Sequence, residues 1–165
     1  MKFTIFIVTG LLGLATAVQA QTNPPPAREE SLAVVVHKGN SVTNLSLDDL
    51  RRLCLAEQKY WDNGRKITVA LREPGQPERE AVLRAVYRMK ESEFTRYFLQ
   101  STFTGEVGTA PKQLATAAGV RRFVFNVPGA IGFVRASELD DSVKPVRIDG
   151  LAPGEAGYPL TLPTR

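Results

Sequence analysis

Five consecutive apolar residues, Leu32 to Val36 in "LAVVVHKG", constrain this chain more than any other stretch. Successive side chains of a strand point to opposite faces, so a strand with one wet face alternates apolar with polar residues. This run does not alternate. A strand that is apolar on successive positions is buried on both faces, which calls for a sheet covered by helices on each side. Ile67 to Leu71 repeats the pattern, and "AIGFVRASEL" reads as a third strand. "VKPVRIDG" (Val143 to Gly150) reads as a fourth. Its Pro145 has no N–H for a ladder, so the spacing predicts an edge strand there.

The segments between these runs have helical periodicity. Ser46 is a good N-cap, with Asp48 and Asp49 in the first turn, where the helix dipole favours acids. Leu47, Leu50, Leu53 and Cys54 then fall on one face. In "EREAVLRAVYRMK" the recurring positions are Val82, Ala85, Val86 and Met89. "SEFTRYFLQSTF" places Phe94, Tyr97 and Phe98 together, with Ser92 as the expected cap. "TAAGVRRFVFNVPG" turns Val120, Phe123, Val124 and Val127 inward and stops at Pro128-Gly129. Strands alternating with helices make the class α/β, with a mostly parallel or mixed sheet between helices. Phe94, Tyr97, Phe98, Phe103, Phe123 and Phe133 are expected in the core, because aromatics at helical spacing usually pack.

The ends differ from this body. "MKFTIFIVTGLLGLATAVQA" has an early Lys2, an apolar middle and a small-residue end at Val18-Gln19-Ala20. That is the pattern of a cleaved signal peptide over residues 1–20, and a spanning helix needs roughly 20 predominantly apolar residues. The protein is therefore expected to be exported, to a periplasm or an equivalent compartment. Residues 21–31 form a polar, Pro-rich tether, 32–150 the folded domain, and 151–165 a Pro/Gly-rich tail, extended or partly disordered. No later segment is apolar enough to span a membrane.

Composition excludes several functions. One Cys and one His cannot build a Cys/His metal site or an internal disulfide. Cys54 lies among leucines and reads as a small buried hydrophobe. The formal charge of +4, lowered by one when Lys2 is removed, is spread among interleaved acids. With no Lys/Arg run, nucleic-acid binding has no support. The acids Asp48, Asp49, Glu73, Glu78 and Glu80 read as caps and helix-start residues, and no nucleophile–base–orienter set is visible, so no enzymatic activity and no cofactor are expected.

The order of the pieces carries a resemblance. A buried strand leads to "LSLDDLRRLCL", then "YWDNGRKI", a strand ending in Arg, a Gly-bearing loop, two helices and "VPGAIGFV". From Leu32 to Val134 this resembles the periplasmic phosphate-binding protein of phosphate ABC transporters, and more closely its short single-domain relatives. Pro128-Gly129-Ala130-Ile131-Gly132-Phe133-Val134 is the most specific piece, followed by Trp61-Asp62-Asn63-Gly64. The resemblance implies a three-layer helix/sheet/helix, one lobe of a type II periplasmic-binding-protein-like fold. It also implies an anion site in the loop "LREPGQPERE", with Arg72, Gly75, Gln76 and Arg79 as the ligand-binding residues, and inorganic phosphate or another small anion as ligand.

Two departures from the family bear on function. The family is a two-lobed clamp, and this chain matches one lobe; a single lobe cannot close around a ligand. The family loop resembles R-x-x-G-S-G-T, and here only Arg72 and Gly75 match. Gln76 stands at the Ser, Pro77 at the second Gly and Glu78 at the Thr. Pro77 deletes a backbone donor, and Glu78 satisfies the helix dipole while repelling an incoming anion. Pro77, Glu78 and Glu80 make a good helix start in their own right. Ligand binding is therefore expected to be weakened or lost. The alternative is a non-catalytic module that binds an envelope protein or a second copy of itself.

Overall fold

The computed structural model describes residues 30–105 and 110–162. The expected signal peptide, the tether up to residue 29, the Gly-bearing segment 106–109 and residues 163–165 lie outside the described residues. Six strands and four α-helices follow one another as β1 (Leu32–Val36), β2 (Asn44–Leu45), α1 (Leu47–Cys54), β3 (Thr68–Arg72), α2 (Pro77–Val82), α3 (Glu91–Phe103), β4 (Lys112–Leu114), α4 (Ala117–Asn126), β5 (Ala130–Arg135) and β6 (Lys144–Ile148). A π-helical turn, Leu83–Tyr87, continues α2, and a 3-10 turn, Ala136–Glu138, follows β5.

The strands form one mixed sheet in the order β2-β6-β1-β5-β3-β4. β1 is antiparallel to both neighbours, β5 and β6. β3 runs parallel to β5 and β4, and β2 parallel to β6. All five residues of β1 are buried. Its period of two divides them between two cores. Leu32, Val34 and Val36 join the cluster under α1, α2, the π turn and α3. Ala33 and Val35 join Val120 and Val124 of α4 on the opposite face. The fold is thus a helix/sheet/helix sandwich of the expected class.

Local signals explain most of the helices. Ser46 caps α1 by accepting from the Asp49 N–H at 3.0 Å, and Thr116 caps α4 by accepting from the Gly119 N–H at 3.0 Å. The inward faces of α1 and α4 are those the periodicity selects: Leu50, Leu53 and Cys54 in one, Val120 and Val124 in the other.

Three expectations need correction. β6 is not an edge strand, because the two-residue β2 lies outside it. Pro145 is tolerated for a local reason. The Arg147 and Asp149 N–H groups point to the β2 side, donating to Thr43 O and Leu45 O at 2.9 Å each. By the period of two, position 145 faces the same way, beyond the reach of β2. Ser92 is not a cap: α3 begins at Glu91, and Glu93 accepts from the Lys90 N–H at 2.7 Å. Phe103 is not core, being 84% exposed at the end of α3. β2 and β4 are short additional strands, in stretches that carry no strand pattern.

The described part of the tail lies against the domain. Tyr158, Leu160 and Leu162 are buried in the larger cluster. The Leu32 N–H donates to Leu160 O, and the Leu162 N–H to Glu30 O, each at 2.8 Å.

Candidate functional site

β3 and β5 lie side by side and parallel, and each ends in an arginine, Arg72 and Arg135. The chain leaves β3 through Glu73-Pro74-Gly75-Gln76, and Gly75 turns with φ +82°, a conformation glycine adopts without penalty. Pro77 then starts α2. The four residues singled out for anion binding divide here.

Arg72 lies at the site and is engaged with the protein. Its Nη2 donates to Ala115 O at 2.8 Å and to Gln76 Oε1 at 3.2 Å. Its Nη1 stands 3.7 Å from Glu78 Oε1. Its buried Nε has no hydrogen-bond partner among the described residues. Gln76 occupies the N-cap position of α2 without a side-chain capping bond, and Gly75 is exposed beside it.

Arg79 points elsewhere. It is 1% exposed, and its Nε and Nη2 fork onto Glu91 Oε2 and Oε1 at 2.8 and 2.7 Å. Its Nη1 donates to Arg72 O at 3.1 Å, and the guanidinium carbon sits 4.8 Å over the Phe94 ring. These bonds join β3 to the start of α3 and leave the Arg79 fork committed. The residues brought together at the loop are Arg72, Gly75 and Gln76.

Glu78, read in the sequence as a helix-start acid, is the pivot of the cluster. Its side chain is buried, and Oε1 accepts from Arg135 Nε at 2.5 Å. Arg135 Nη1 reaches Glu30 Oε2 at 2.6 Å, and the Ser137 hydroxyl donates to Glu30 Oε1 at 2.6 Å. The cluster therefore reads Arg72–Glu78–Arg135–Glu30, with charges of alternating sign. Burial pushes the Glu78 carboxyl up. The Arg135 hydrogen bond, a backbone N–H and the charges of Arg135 and Arg72 outweigh it and hold it below its ordinary value. Arg135 is raised in turn, chiefly by its hydrogen bond to Glu78. Neither Arg135 nor Glu30 was selected from the sequence. The available signal was that "TVALR" and "AIGFVR" both end in Arg at what become neighbouring strand ends.

The cluster places a carboxylate between two guanidinium groups at the strand ends. Among the described residues no group of three or more His, Cys, Asp and Glu could hold a metal ion. Cys54 is buried, and burial pushes its thiol up to about 12, so it is protonated at neutral pH. No described helix is long and apolar enough to cross a membrane.

The two sequence pieces that carried the resemblance are spatial neighbours. Trp61 Nε1 donates to Gly129 O at 3.0 Å. A Cβ on Gly129 would lie 2.0 Å from Lys66 O, and one on Gly132 would lie 2.6 Å from Val120 Cγ1. Both pieces therefore serve close packing between the β3 approach, β5 and α4.

No protein-family model matches the chain, and no curated relative does. Solved structures do. An ABC-type phosphate transport receptor from Vibrio cholerae superposes with a TM-score of 0.68 at 21% identity, over 82% of this chain and 55% of that one. PstS from Borrelia burgdorferi gives 0.65 at 12% identity, with the same 82% and 55%. A phosphate ABC transporter substrate-binding protein from Clostridium perfringens, solved with bound phosphate, gives 0.63 at 23% identity, over 76% of this chain and 48% of that one. This likeness shows the fold: a single lobe of the periplasmic-binding-protein-like type. The chain spans about half the length of the structures it matches.

Proposed function

We propose that this is an exported, non-catalytic, solute-binding-like protein of the phosphate-transport type in which free phosphate is held weakly or not at all. The observation that carries this reading is the buried Glu78 carboxylate, shared between Arg135 and Arg72. An oxyanion arriving at the loop needs positive charge and converging donors. Here the charge of Arg72 is already balanced by a carboxylate, Pro77 contributes no N–H, and Arg79 is bound to Glu91. What remains for phosphate is Gln76, the exposed turn at Gly75 and whatever Arg72 can spare. The solved structures of phosphate-binding proteins with this fold support the solute-binding ancestry.

The reading is tested by titrating inorganic phosphate into the protein by calorimetry, alongside Glu78→Gln. The unmodified chain is expected to bind with Kd no tighter than about 1 mM, near −4 kcal/mol, and Glu78→Gln about tenfold more tightly. Micromolar binding by the unmodified chain would overturn it.

A second reading, a module that binds another protein, is favoured by α3. Leu99 and Phe103 are 59% and 84% exposed and lie one helical turn apart. Apolar side chains grouped in this way are a common mark of protein contact.

A further inference from the structure

A second concavity lies at the other end of β3. Thr68 begins that strand and Arg72 ends it, so the two sites are separated by four strand steps, about 13 Å. The cavity has a volume of about 250 Å³ and opens between the end of α1, the segment leading into β3, and α3. Its deep wall is apolar and buried: Leu53, Cys54, Val69 and Phe98. Its outer wall is polar and exposed, with Lys59, Tyr60 and Lys66.

The charges in it have one sign. Among the described residues no carboxylate lines the cavity and neither lysine forms an ion pair. The C-terminal end of α1 would oppose an anion if its last carbonyls were open. Three of the last four are paired, Arg51 O, Arg52 O and Leu53 O accepting from the Leu55, Glu57 and Ala56 N–H groups, and beyond the helix Leu55 O accepts from the Tyr97 hydroxyl at 3.0 Å. The cavity thus has an apolar floor with two exposed lysines in its outer wall, neither in an ion pair among the described residues. Ligand sites combine these elements, a hydrophobic lining with a few polar groups that fix orientation. The volume lies below the roughly 300–1,000 Å³ of sites for drug-sized ligands, so the occupant is small.

We propose that this cavity binds a small organic carboxylate with an apolar body, the body against Leu53, Val69 and Phe98 and the carboxylate between Lys59 and Lys66. This site is independent of the Arg72–Glu78 cluster and of the phosphate reading.

The probe is 2-naphthoate, titrated into the full chain by calorimetry, with 2-naphthalenemethanol as the uncharged counterpart. Naphthoate is expected to saturate and to bind more tightly than the alcohol. The double variant Lys59→Gln/Lys66→Gln, altered only at exposed positions, is expected to bind naphthoate about tenfold more weakly, a change of about 1.4 kcal/mol, while the alcohol is unaffected. Glu78→Gln should leave naphthoate binding unchanged. Absence of saturation up to millimolar naphthoate overturns the site. Equal naphthoate affinity with and without the lysines overturns the carboxylate assignment.

Discussion

Glu78 is buried, and it remains charged because its neighbours are charged. Desolvation favours its protonated form, yet Arg135 and Arg72 hold its carboxyl below the ordinary value of 4.5. The sign of the linkage follows. A depressed carboxyl contributes stability above its unfolded value, and that contribution disappears as the pH falls through the folded value. Thermal unfolding of the unmodified chain and of Glu78→Gln should therefore differ most near neutrality. There the variant is expected to be less stable by about 1–3 kcal/mol, the cost of a buried polar bond losing its partner. The difference should shrink below pH 4.5 as the unmodified Glu78 takes up its proton. A difference independent of pH would mean that the variant acts through shape alone. The sequence made Glu78 legible as a helix-start acid, since Pro77-Glu78 is a local pattern. It could not supply Arg135, 57 residues away, or show that Arg79 turns to Glu91. Those pairings exist only once β5 lies against β3.

At the scale of elements, periodicity and capping were enough for α1 and α4, whose signals lie within one helix. β2 and β4 were not legible, because strands of two and three residues carry no alternation. The π turn Leu83–Tyr87 was hidden for another reason: the apolar spacing of Val82, Val86 and Met89 reads as an ordinary helix, while the backbone widens at Leu83 and ends with Arg88 at φ +56°. The contact between α4 and β5 gives a sharp test of packing. A methyl group at position 132 would meet Val120 Cγ1 at 2.6 Å and Val124 Cγ2 at 3.0 Å, on branched side chains with little freedom to move. Gly132→Ala is expected to destabilise by about 1–3 kcal/mol, as overpacked core sites do. Urea unfolding measures it, and an unchanged midpoint would show that α4 can slide outward freely.

For the whole molecule, residues 151–162 behave as part of the fold. Tyr158, Leu160 and Leu162 are buried, and the strap pairs with the chain at Glu30, Ser31 and Leu32. Burying such side chains contributes about 1.5–3 kcal/mol each, comparable in sum with the roughly 5–15 kcal/mol net stability of a domain. Deleting residues 158–165 is therefore expected to abolish cooperative unfolding in denaturant; a truncated chain with an undiminished midpoint would show that the strap is dispensable. The place of β1 has a further effect, on the order of events as the polypeptide is made. The first strand of the domain is also its central one, and both its partners, β5 and β6, are among the last to be made. Helices α1 to α3 can begin to form locally, but the sheet must close a span of roughly a hundred residues, and such closure is slow because its entropy is lost before the contacts are gained. Until residue 135 has emerged β1 has neither partner complete, and it lacks β6 until residue 148, so for most of synthesis the chain carries an unpaired hydrophobic strand.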